Sequence, residues 1–356
     1  MPFSGYQRGI NLKSDRNSIS IKQLAANLGL SPSTVSLVLG GRGKEMRISK
    51  ATQTLVLDEA QKLGYRPNML AGRIKQRSIE SPRMSITVFT PFLKGLSNVL
   101  GRILYGMQSA LMQDDIKVEI VSRPYYNERL CDMKDYLSSM YTDGAIICGI
   151  SDDDVSFLLK EDFNIPIVLF NRTTEKYSAV YVDDYEAGMK AASVFAAKGH
   201  KSTGIIMPDR SLKASSMRQL GFLDGCKKLG LSIDPNHIQK DELNIEGGYR
   251  ATTRLLTYNE YPPALFVLIN EMAVGAVRAI KDKYINIPDD IELLCYGDDQ
   301  FGEYMTPSLS TIRMPVEAIA AECLRVVMGM LKTNDWRPVS RVQPLTMVYR
   351  ESCPPA

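Results

Sequence analysis

Histidine is scarce in this sequence, with only two residues, His200 and His237, among 356. Histidine is the side chain that most often serves as a general acid or base near neutral pH, so its scarcity argues against many enzymes. The sequence also contains neither a nucleophile motif of the form G-x-S-x-G nor a Walker loop for phosphate. It therefore offers no catalytic residues, and we expect that the protein is not an enzyme.

Paired cysteine motifs are absent as well. The six cysteines are scattered without a C-x-x-C spacing, so free thiols in a reducing cytosol explain them better than disulfides or a zinc site. Cys148 and Cys295 lie inside apolar, strand-like runs and are expected in the core. The run from Asp152 to Asp154 could suggest a metal site, but a helix N-terminus accounts for it, because carboxylates there complement the helix dipole. We predict no metal and no cofactor.

Long apolar runs are missing too, and none approaches the roughly 20 residues that a membrane-spanning helix needs. The N-terminus lacks the apolar core of an export signal, so a cytoplasmic location is expected. Hydrophobic residues make up 44% of the chain and charged residues 23%, as in ordinary soluble proteins. The length suits two or three domains of roughly 150 residues each.

Positive charge is concentrated at the N-terminal end, although the net charge of the whole chain is only +3. Residues 1–78 contain 13 lysines and arginines against four acidic residues, a net charge of +9, which leaves −6 for the remainder. A basic segment attached to a mildly acidic body indicates a nucleic-acid-binding module joined to a solute-binding module. We expect the first 18 residues to form a disordered basic tail.

Helix signals begin at residue 20. A capping box at Ser20 and Gln23 begins a first helix, and Gly29 ends it because glycine accepts the left-handed backbone of a tight turn. Its apolar residues recur at the spacing of one helical face: Ile21, Leu24, Ala25 and Leu28. Ser31 as N-cap and Pro32 at the first helical position begin a second helix. Two short helices joined by a tight turn indicate a helix-turn-helix, whose second helix presents its N-terminal residues to bases in the DNA major groove.

Two more helices are predicted after it. The third runs from the N-cap Ser49 to Leu63 and closes a small core against the first two. The fourth is capped by Asn68 and ends near Lys75. Helices shorter than about 12 residues are marginal in water, and Gly72 costs this one about 1 kcal/mol relative to alanine. We therefore expect the fourth helix to fold only on DNA.

The segments SIKQLA, SPSTVSLVL, RISKATQ and LGYRPNMLA resemble the LacI/GalR family of bacterial transcription regulators. The resemblance implies a DNA-binding surface formed by the second helix, the loop after it and the fourth helix. The residues expected to contact DNA are Ser31, Pro32, Ser33, Thr34, Ser36, Leu37, Arg42, Lys44, Arg47, Asn68, Arg73 and Ile74. The three basic loop residues either contact phosphates, which position a protein without reading sequence, or belong to a solvated loop. Ile74 falls where the family places a leucine that wedges between base steps and kinks the duplex.

Two positions depart from the family's pattern. Leu37 stands where many members carry an arginine that bonds guanine, and Gly40 replaces an asparagine just after the helix. Arginine is the commonest specific reader of guanine, so the family's usual half-site sequence does not transfer to this chain. By the resemblance, Pro32, Ser33 and Leu37 face the bases and offer a hydroxyl and apolar contacts instead.

From Arg83 onward, short apolar runs alternate with amphipathic segments, which predicts parallel sheets covered by helices. The order of DGAII, IPIVLFNR, KGH, RQLGF, EGGY and IPDDIELLCYGDD resembles the type I periplasmic-binding-protein fold, with a ligand between two lobes. The predicted fold class is a small all-α helix-turn-helix domain followed by a two-lobed, doubly wound α/β domain. The expected domains are a tail at 1–18, the helix-turn-helix at 19–66, a hinge helix and linker at 67–82, an N-lobe at 84–183 and 311–337, and a C-lobe at 184–310 and 338–356.

Strand ends in this body supply the candidate effector site, because open α/β sheets bind ligands at the carboxyl ends of their strands. The strand ends supply Phe92, Asn171, Arg172, Asp183, Asn270 and Asp298, and the family resemblance adds Arg218. The resemblance implies that Arg218 bonds effector hydroxyls or carboxylates; a surface ion pair is the alternative. Asn270 stands where most members have aspartate, so it can still recognise hydroxyls but carries no charge.

Three of these candidates have structural alternatives. Asp183 could be a helix N-cap instead of a ligand contact. Phe92 could either stack on a sugar face or belong to the core. Asp298, which follows Gly297, could be structural.

The sequence thus predicts a homodimeric repressor that binds pseudo-palindromic, double-stranded operator DNA. A small effector, a carbohydrate by the resemblance, would bind between the lobes and change DNA affinity, by either induction or corepression. A partner protein in the role of effector stays open as an alternative. A solute-binding transport protein would need an export signal and no basic helix-turn-helix, so residues 1–78 argue against that class.

Replacing Ile74 with alanine tests the wedge. The smaller side chain cannot unstack a base step, so specific affinity should fall by about tenfold or more and DNA bending should decrease, with the fold intact. Bending is measured from the mobility of circularly permuted operator fragments. A variant that bends the operator as strongly as the parent protein would show that Ile74 is not a wedge.

Overall fold

The structure is a computed structural model that describes residues 21–39, 46, 48–62, 84–92, 97–139, 141–209, 213–258, 260–297 and 301–356. The chain divides into two compact units, residues 1–83 and 84–356. Several residues with predicted roles lie outside the described residues: Arg42, Lys44, Arg47, Asn68, Arg73, Ile74 and Asp298. The predicted tail and fourth helix also lie outside them.

The first unit contains three helices, α1 (Ile21–Leu28), α2 (Pro32–Leu39) and α3 (Lys50–Lys62). Ser31 caps α2 and Ser49 caps α3, since each hydroxyl accepts a backbone N–H three residues later at 3.1 Å. Gly29 has the left-handed φ of +63° that the turn after α1 requires. Among the residues of this unit that the structure describes, the buried core consists of Leu24, Ala25, Val35, Val38 and Val56. These helices and their caps agree with the helix-turn-helix prediction.

The second unit contains two sheets of six strands each. In spatial order, the first sheet consists of β11 (Ser340–Val342), β5 (Ser178–Tyr181), β4 (Ile167–Phe170), β3 (Gly144–Cys148), β1 (Met84–Pro91) and β2 (Val118–Tyr125). All of its strand pairs are parallel. The second sheet consists of β12 (Thr346–Val348), β10 (Ser310–Arg313), β9 (Glu292–Gly297), β8 (Ala264–Val267), β6 (Gly204–Pro208) and β7 (Ile238–Asp241). Its strand pairs are parallel except for β10 with β12.

Helices cover both sheets, and each sheet with its helices forms one lobe. In the first lobe these helices are α4 (Ser97–Gln113), α5 (Asp152–Lys160) and α11 (Val316–Thr333). In the second lobe they are α6 (Asp184–Ala197), α7 (Lys213–Leu229), α8 (Ile245–Leu255), α9 (Asn270–Asp282) and α10 (Phe301–Tyr304). None of the helices in the described part of the chain is both long and apolar enough to cross a bilayer.

Buried side chains alternate between the two faces of each sheet. In β3, Ile146 and Cys148 belong to the core on one face, whereas Ala145 and Ile147 belong to the core on the other. Strands covered on both faces are apolar at nearly every position, as parallel strands in α/β proteins are. This burial explains why the strands appear in the sequence as continuous apolar runs. Cys148 and Cys295 are buried as predicted.

The chain crosses between the lobes three times, and two predicted lobe boundaries need correction. Residues 310–313 form β10, which pairs with β9 in the second sheet. The second crossover therefore comes after residue 313 and not at the predicted residue 311. Residues 340–342 pair with β5 in the first sheet, so the third crossover lies between β11 and β12 and not at residue 338. These strands have only three or four residues, too few for a periodicity that would assign them to a sheet.

The segment near Glu128–Met140, which the sequence predicts as an α-helix, contains only a 3-10 helix at Leu130–Tyr136. Glu128 has a left-handed φ of +64°, so a regular helix cannot start there and the 3-10 helix begins only at Leu130. The buried N–H of Leu130 donates to the carboxylate of Asp154 at 2.9 Å. The segment is therefore held by a contact with α5 that its own periodicity does not show.

Helices α6 and α7 pack closely because each has a glycine at the contact. A Cβ added at Gly188 would overlap the carbonyl oxygen of Arg218, and one added at Gly221 would overlap that of Tyr185. Both obstacles are helix backbone, which cannot move without separating the helices. This contact places the N-terminal half of α7 beside the start of α6, where the polar cluster described below is found.

Replacing Gly221 with alanine should therefore lower the free energy of unfolding by about 2–3 kcal/mol, because the helices must separate. Gly329 in α11 is the matched control, since a Cβ there meets nothing within 4 Å. Its replacement by alanine should leave stability unchanged or raise it by up to about 1 kcal/mol. Urea unfolding of both variants measures the difference, and equal midpoints would contradict the assigned contact.

Candidate functional site

The N-terminal end of α2 is exposed. Ser31, Pro32 and Ser33 are exposed, while Thr34, Ser36 and Leu37 are half-buried. The hydroxyls of Ser31 and Thr34 are hydrogen-bonded to each other at 2.8 Å. Val35 and Val38 face the core. The opposite face therefore presents short hydroxyl and apolar side chains, with no charged side chain among residues 31–39.

A cavity of about 370 Å³ lies between the two lobes of the second unit. It is lined at the carboxyl ends of β1, β3 and β4 in the first lobe and of β8 and β9 in the second. Most of the lining is apolar, including Val99, Ile103, Ile150, Ile269 and Val316. A concave, largely apolar site with a few polar side chains is typical of small-molecule binding.

Five of the seven candidate effector contacts line this cavity: Phe92, Asn171, Arg172, Arg218 and Asn270. Phe92 is 73% exposed, which excludes the core alternative. Its ring lies edge-on to Tyr126 with 6.4 Å between centroids. Asp183 is not among the lining residues.

Asp183 caps α6 instead, because its carboxylate accepts the backbone N–H of Glu186 at 2.9 Å. Asp184, the next residue, points into the interior and is buried. Sequence reasoning singled out the first aspartate of this pair and missed the second. The pair itself was the only signal, since a run of two aspartates at a helix start does not show which one faces inward.

Asp184 and Arg218 form a buried ion pair beside the cavity, with Arg218 Nε donating to Asp184 Oδ1 at 2.8 Å. A second guanidinium N–H of Arg218 donates to the carbonyl oxygen of Leu268 at 2.5 Å. The guanidinium carbon lies 3.6 Å from the ring centroid of Tyr296. Burial raises the pKa of the Asp184 carboxyl, and the positive charge of Arg218 opposes that rise. The ion-pair alternative for Arg218 is thus present, but the pair is buried and not on the surface.

Asn171 connects this pair to the first lobe. It follows β4 with a left-handed φ of +51°, which asparagine tolerates better than most residues. Its Oδ1 accepts the N–H of Val182 at 3.1 Å, and its Nδ2 donates to Asp184 Oδ2 at 3.3 Å. The amide therefore links the end of β4 to the first crossover between the lobes.

Asn270 begins α9 in the second lobe and is buried. Its Oδ1 lies 3.0 Å from the thiol of Cys295. Gly297 lies beside it with a φ of +133°, and a Cβ there would lie 3.3 Å from the Cβ of Asn270. The amide is therefore held in place at the cavity wall by β9.

Arg172 is the buried arginine of the cavity whose hydrogen bonding is incomplete. Its side chain is only 9% exposed, and Nη2 donates to the carboxylate of Asp152, whose side chain is 82% exposed. Its buried Nε has no hydrogen-bond acceptor among the residues that the structure describes. The hydrogen bond from Arg172 lowers the pKa of Asp152, and the charge of Lys213 lowers it further. Because Asp152 is mostly exposed while the guanidinium is buried, water can replace the protein contact of the carboxylate, but Arg172 needs a negative partner.

A third arginine of the cavity, Arg102, forms two hydrogen bonds with Glu317, at 2.6 and 2.9 Å. This pair joins α4 to α11. Within the described ranges, no three His, Cys, Asp or Glu side chains are arranged to hold a metal ion. The polar groups of the cavity include two amides, three paired arginines and the ammonium of Lys213, a set suited to binding an organic molecule.

Known proteins resemble this chain over most of its length. A family model described as a periplasmic binding protein-like domain matches residues 192–353. The crystal structure of a LacI family transcription regulator from Clostridium acetobutylicum has 32% identity and a TM-score of 0.72, covering 75% of this chain and 100% of that chain. The probable HTH-type transcriptional repressor ExuR of Bacillus subtilis is 27% identical over 340 residues, 94% of this chain and 98% of its own. The transcriptional regulator CelR, in complex with cellobiose, shares the fold with 21% identity and a TM-score of 0.67, covering 94% and 99% of the two chains.

Replacing Arg218 with alanine leaves Asp184 buried without its cation, which should lower the free energy of unfolding by about 3–5 kcal/mol at neutral pH. A carboxyl whose folded-state pKa is raised destabilises the fold above that pKa but not below its unfolded value near 4. The deficit of the variant should therefore shrink as the pH falls through the raised pKa, for example from about pH 7.5 to about pH 5.

Urea unfolding at both pH values measures this effect. The double variant Arg218→Ala with Asp184→Asn is the control, because it carries no buried charge and should recover part of the loss at neutral pH. A deficit that is equal at both pH values would show that the orphaned carboxylate is not its cause.

Proposed function

Because the chain belongs to the LacI family of transcription regulators, we propose that it is a ligand-responsive repressor that binds a pseudo-palindromic operator as a homodimer. The observation that carries this proposal is the combination of an exposed α2 N-terminus with a separate two-lobed unit that encloses a cavity. The first part can read DNA and the second can bind a small molecule. The protein would act in the cytoplasm, as a regulator and not as an enzyme.

The DNA-reading role is supported by the side chains that α2 presents. Ser33 is exposed at the helix N-terminus, where recognition helices contact base edges. Leu37 is half-buried one turn later and offers methyl groups in place of a guanidinium. Apolar contacts of this kind favour the methyl group of thymine. We therefore infer half-sites in which Leu37 faces an A·T pair.

The effector role is supported by the polar groups at the strand ends. The amides of Asn171 and Asn270 have both donors and acceptors, which suits the hydroxyl groups of a carbohydrate. The exposed ring of Phe92 at the cavity mouth can pack against an apolar sugar face. The similarity to CelR, whose complex contains cellobiose, agrees with a carbohydrate effector.

Coupling between the two roles would follow from lobe closure. The cavity is lined by residues of both lobes, so a ligand that contacts both changes the equilibrium between open and closed forms. A full reversal from 1:99 to 99:1 requires a preference of about 5.5 kcal/mol for one form. Either form could be the one that binds DNA, so induction and corepression both fit the proposal.

Selection of source-genome fragments by the purified chain at about 150 mM salt tests the function, since this salt suppresses non-specific phosphate binding. We expect recovery of a short palindrome, with or without added cell extract as a source of effector. Failure to enrich a palindrome under both conditions would contradict the proposed function.

The variant Leu37→Ala extends the test to a single contact. It should lose discrimination at one base pair of each half-site, by about tenfold, because an apolar contact with a base edge is lost. The salt dependence of binding should not change, since no phosphate contact is removed. An unchanged preference at every position would show that Leu37 does not face a base.

A further inference from the structure

We propose that the effector carries a carboxylate, which Arg172 binds through two N–H groups while Lys213 adds a second positive charge from the other lobe. This inference rests on the proposed function, because it names the chemical class of the effector in the same cavity. We call Arg172, Asp152 and Lys213 together the carboxylate site. The effector would thus be an acidic monosaccharide, with hydroxyl groups for the amides and one negative charge for this site.

The first observation is the incomplete bonding of a buried guanidinium. Arg172 lies at the carboxyl end of β4, and its side chain is more than nine-tenths buried. Its Nε has no acceptor among the described residues, while Nη2 contacts Asp152. Nε and Nη2 lie on one edge of the planar guanidinium, and this edge binds both oxygens of a carboxylate in parallel. One half of that bidentate pattern is therefore unfilled.

The second observation is that Asp152 lies against this edge and does not cap its own helix. The start of α5 is already capped by Ser151 and Asp154, whose side chains each accept the other's backbone N–H at 3.1 Å. Asp152 makes only a single-oxygen contact with Arg172 and is mostly exposed. Its carboxylate thus stands in for that of the effector and can turn into solvent when the effector binds.

The third observation is the position of Lys213 at the start of α7, in the second lobe. Lys213 lines the cavity, and its charge is close enough to help lower the pKa of Asp152, which belongs to the first lobe. A carboxylate bound at Arg172 would therefore attract both lobes. This contact would favour the closed form and couple the charge of the effector to the conformational change.

The other two arginines of the cavity already have hydrogen-bond partners. Arg218 is bonded to Asp184 and Leu268, and Arg102 forms two hydrogen bonds with Glu317. The same guanidinium edge also accepts a phosphate, which has three acceptor oxygens and up to two charges, so phosphate is the competing ligand that the test must separate. One carboxylate matches the unfilled edge of Arg172 and the ammonium of Lys213.

The test is calorimetric titration of the full-length protein with matched sugars. For the gluco, galacto and manno configurations, the uronate, the neutral hexose and the hexose 6-phosphate are compared. We expect at least one uronate to bind about tenfold or more tightly than its neutral and phosphorylated counterparts, because a bidentate charge-assisted contact is gained. Tighter binding of a neutral hexose or of a phosphate, or no binding by any uronate, would overturn the inference.

Variants assign the effect to the carboxylate site. Arg172→Gln should weaken uronate binding by about tenfold or more and weaken binding of the neutral sugar much less. Asp152→Asn should tighten uronate binding, because the competing carboxylate is removed, and Lys213→Gln should weaken it without disturbing the core. Arg278→Gln, on the exposed face of α9, removes the same charge away from the cavity and is the matched control. Equal uronate affinity in the Arg172 and Arg278 variants would also overturn the inference.

Fluorescence anisotropy with the selected operator separates this inference from the proposed function. Release or capture of operator by a neutral sugar alone would keep the repressor function and overturn the carboxylate site. Uronate binding that depends on Arg172, in a protein that selects no palindrome, would support the site and contradict the function. The two hypotheses therefore fail in different measurements.

Discussion

The buried pair of Asp184 and Arg218 is the interaction on which the cavity depends. Asn171 ties Asp184 to the end of β4, and the second guanidinium bond ties Arg218 to Leu268 after β8. The pair therefore connects strand ends of both lobes at the first crossover. A buried charge is tolerated only when it is paired and hydrogen-bonded, so each member must keep its place. The positions of the polar side chains in the cavity wall therefore depend on this ion pair.

The arginines around the cavity consequently differ in what they can do. Arg218 has its bonds satisfied by buried partners, and its plane is stacked on Tyr296. Arg172 is equally enclosed but depends on one exposed carboxylate. A guanidinium with strong internal partners shapes a site, whereas one with a weak partner can exchange that partner for a ligand. The resemblance to a known family pointed to Arg218, but the bonding pattern favours Arg172 as the cation available to a ligand.

In the helix-turn-helix, some side chains of α2 are needed for stability and are therefore not available to contact DNA. Ser31 must cap α2, and Val35 and Val38 must fill the small core that the described helices enclose. The positions left for reading DNA are the exposed ones near the helix start. The absence of an arginine there removes the strongest reader of guanine and leaves hydroxyl and methyl groups. Base recognition by α2 itself would therefore rest on weaker contacts or on the shape of the DNA.

Local patterns in the sequence determined the three described N-terminal helices, their serine caps, the two largely parallel sheets and the strand ends that carry Asn171, Arg172 and Asn270 near one cavity. Periodicity, capping and β-strand burial act between residues close in sequence, so the sequence displays them directly. Only the tertiary structure decided that Asp184 faces inward while Asp183 caps a helix, that Asp152 contacts Arg172, and that residues 340–342 return to the first sheet. These choices depend on partners distant in the chain, which no local pattern identifies.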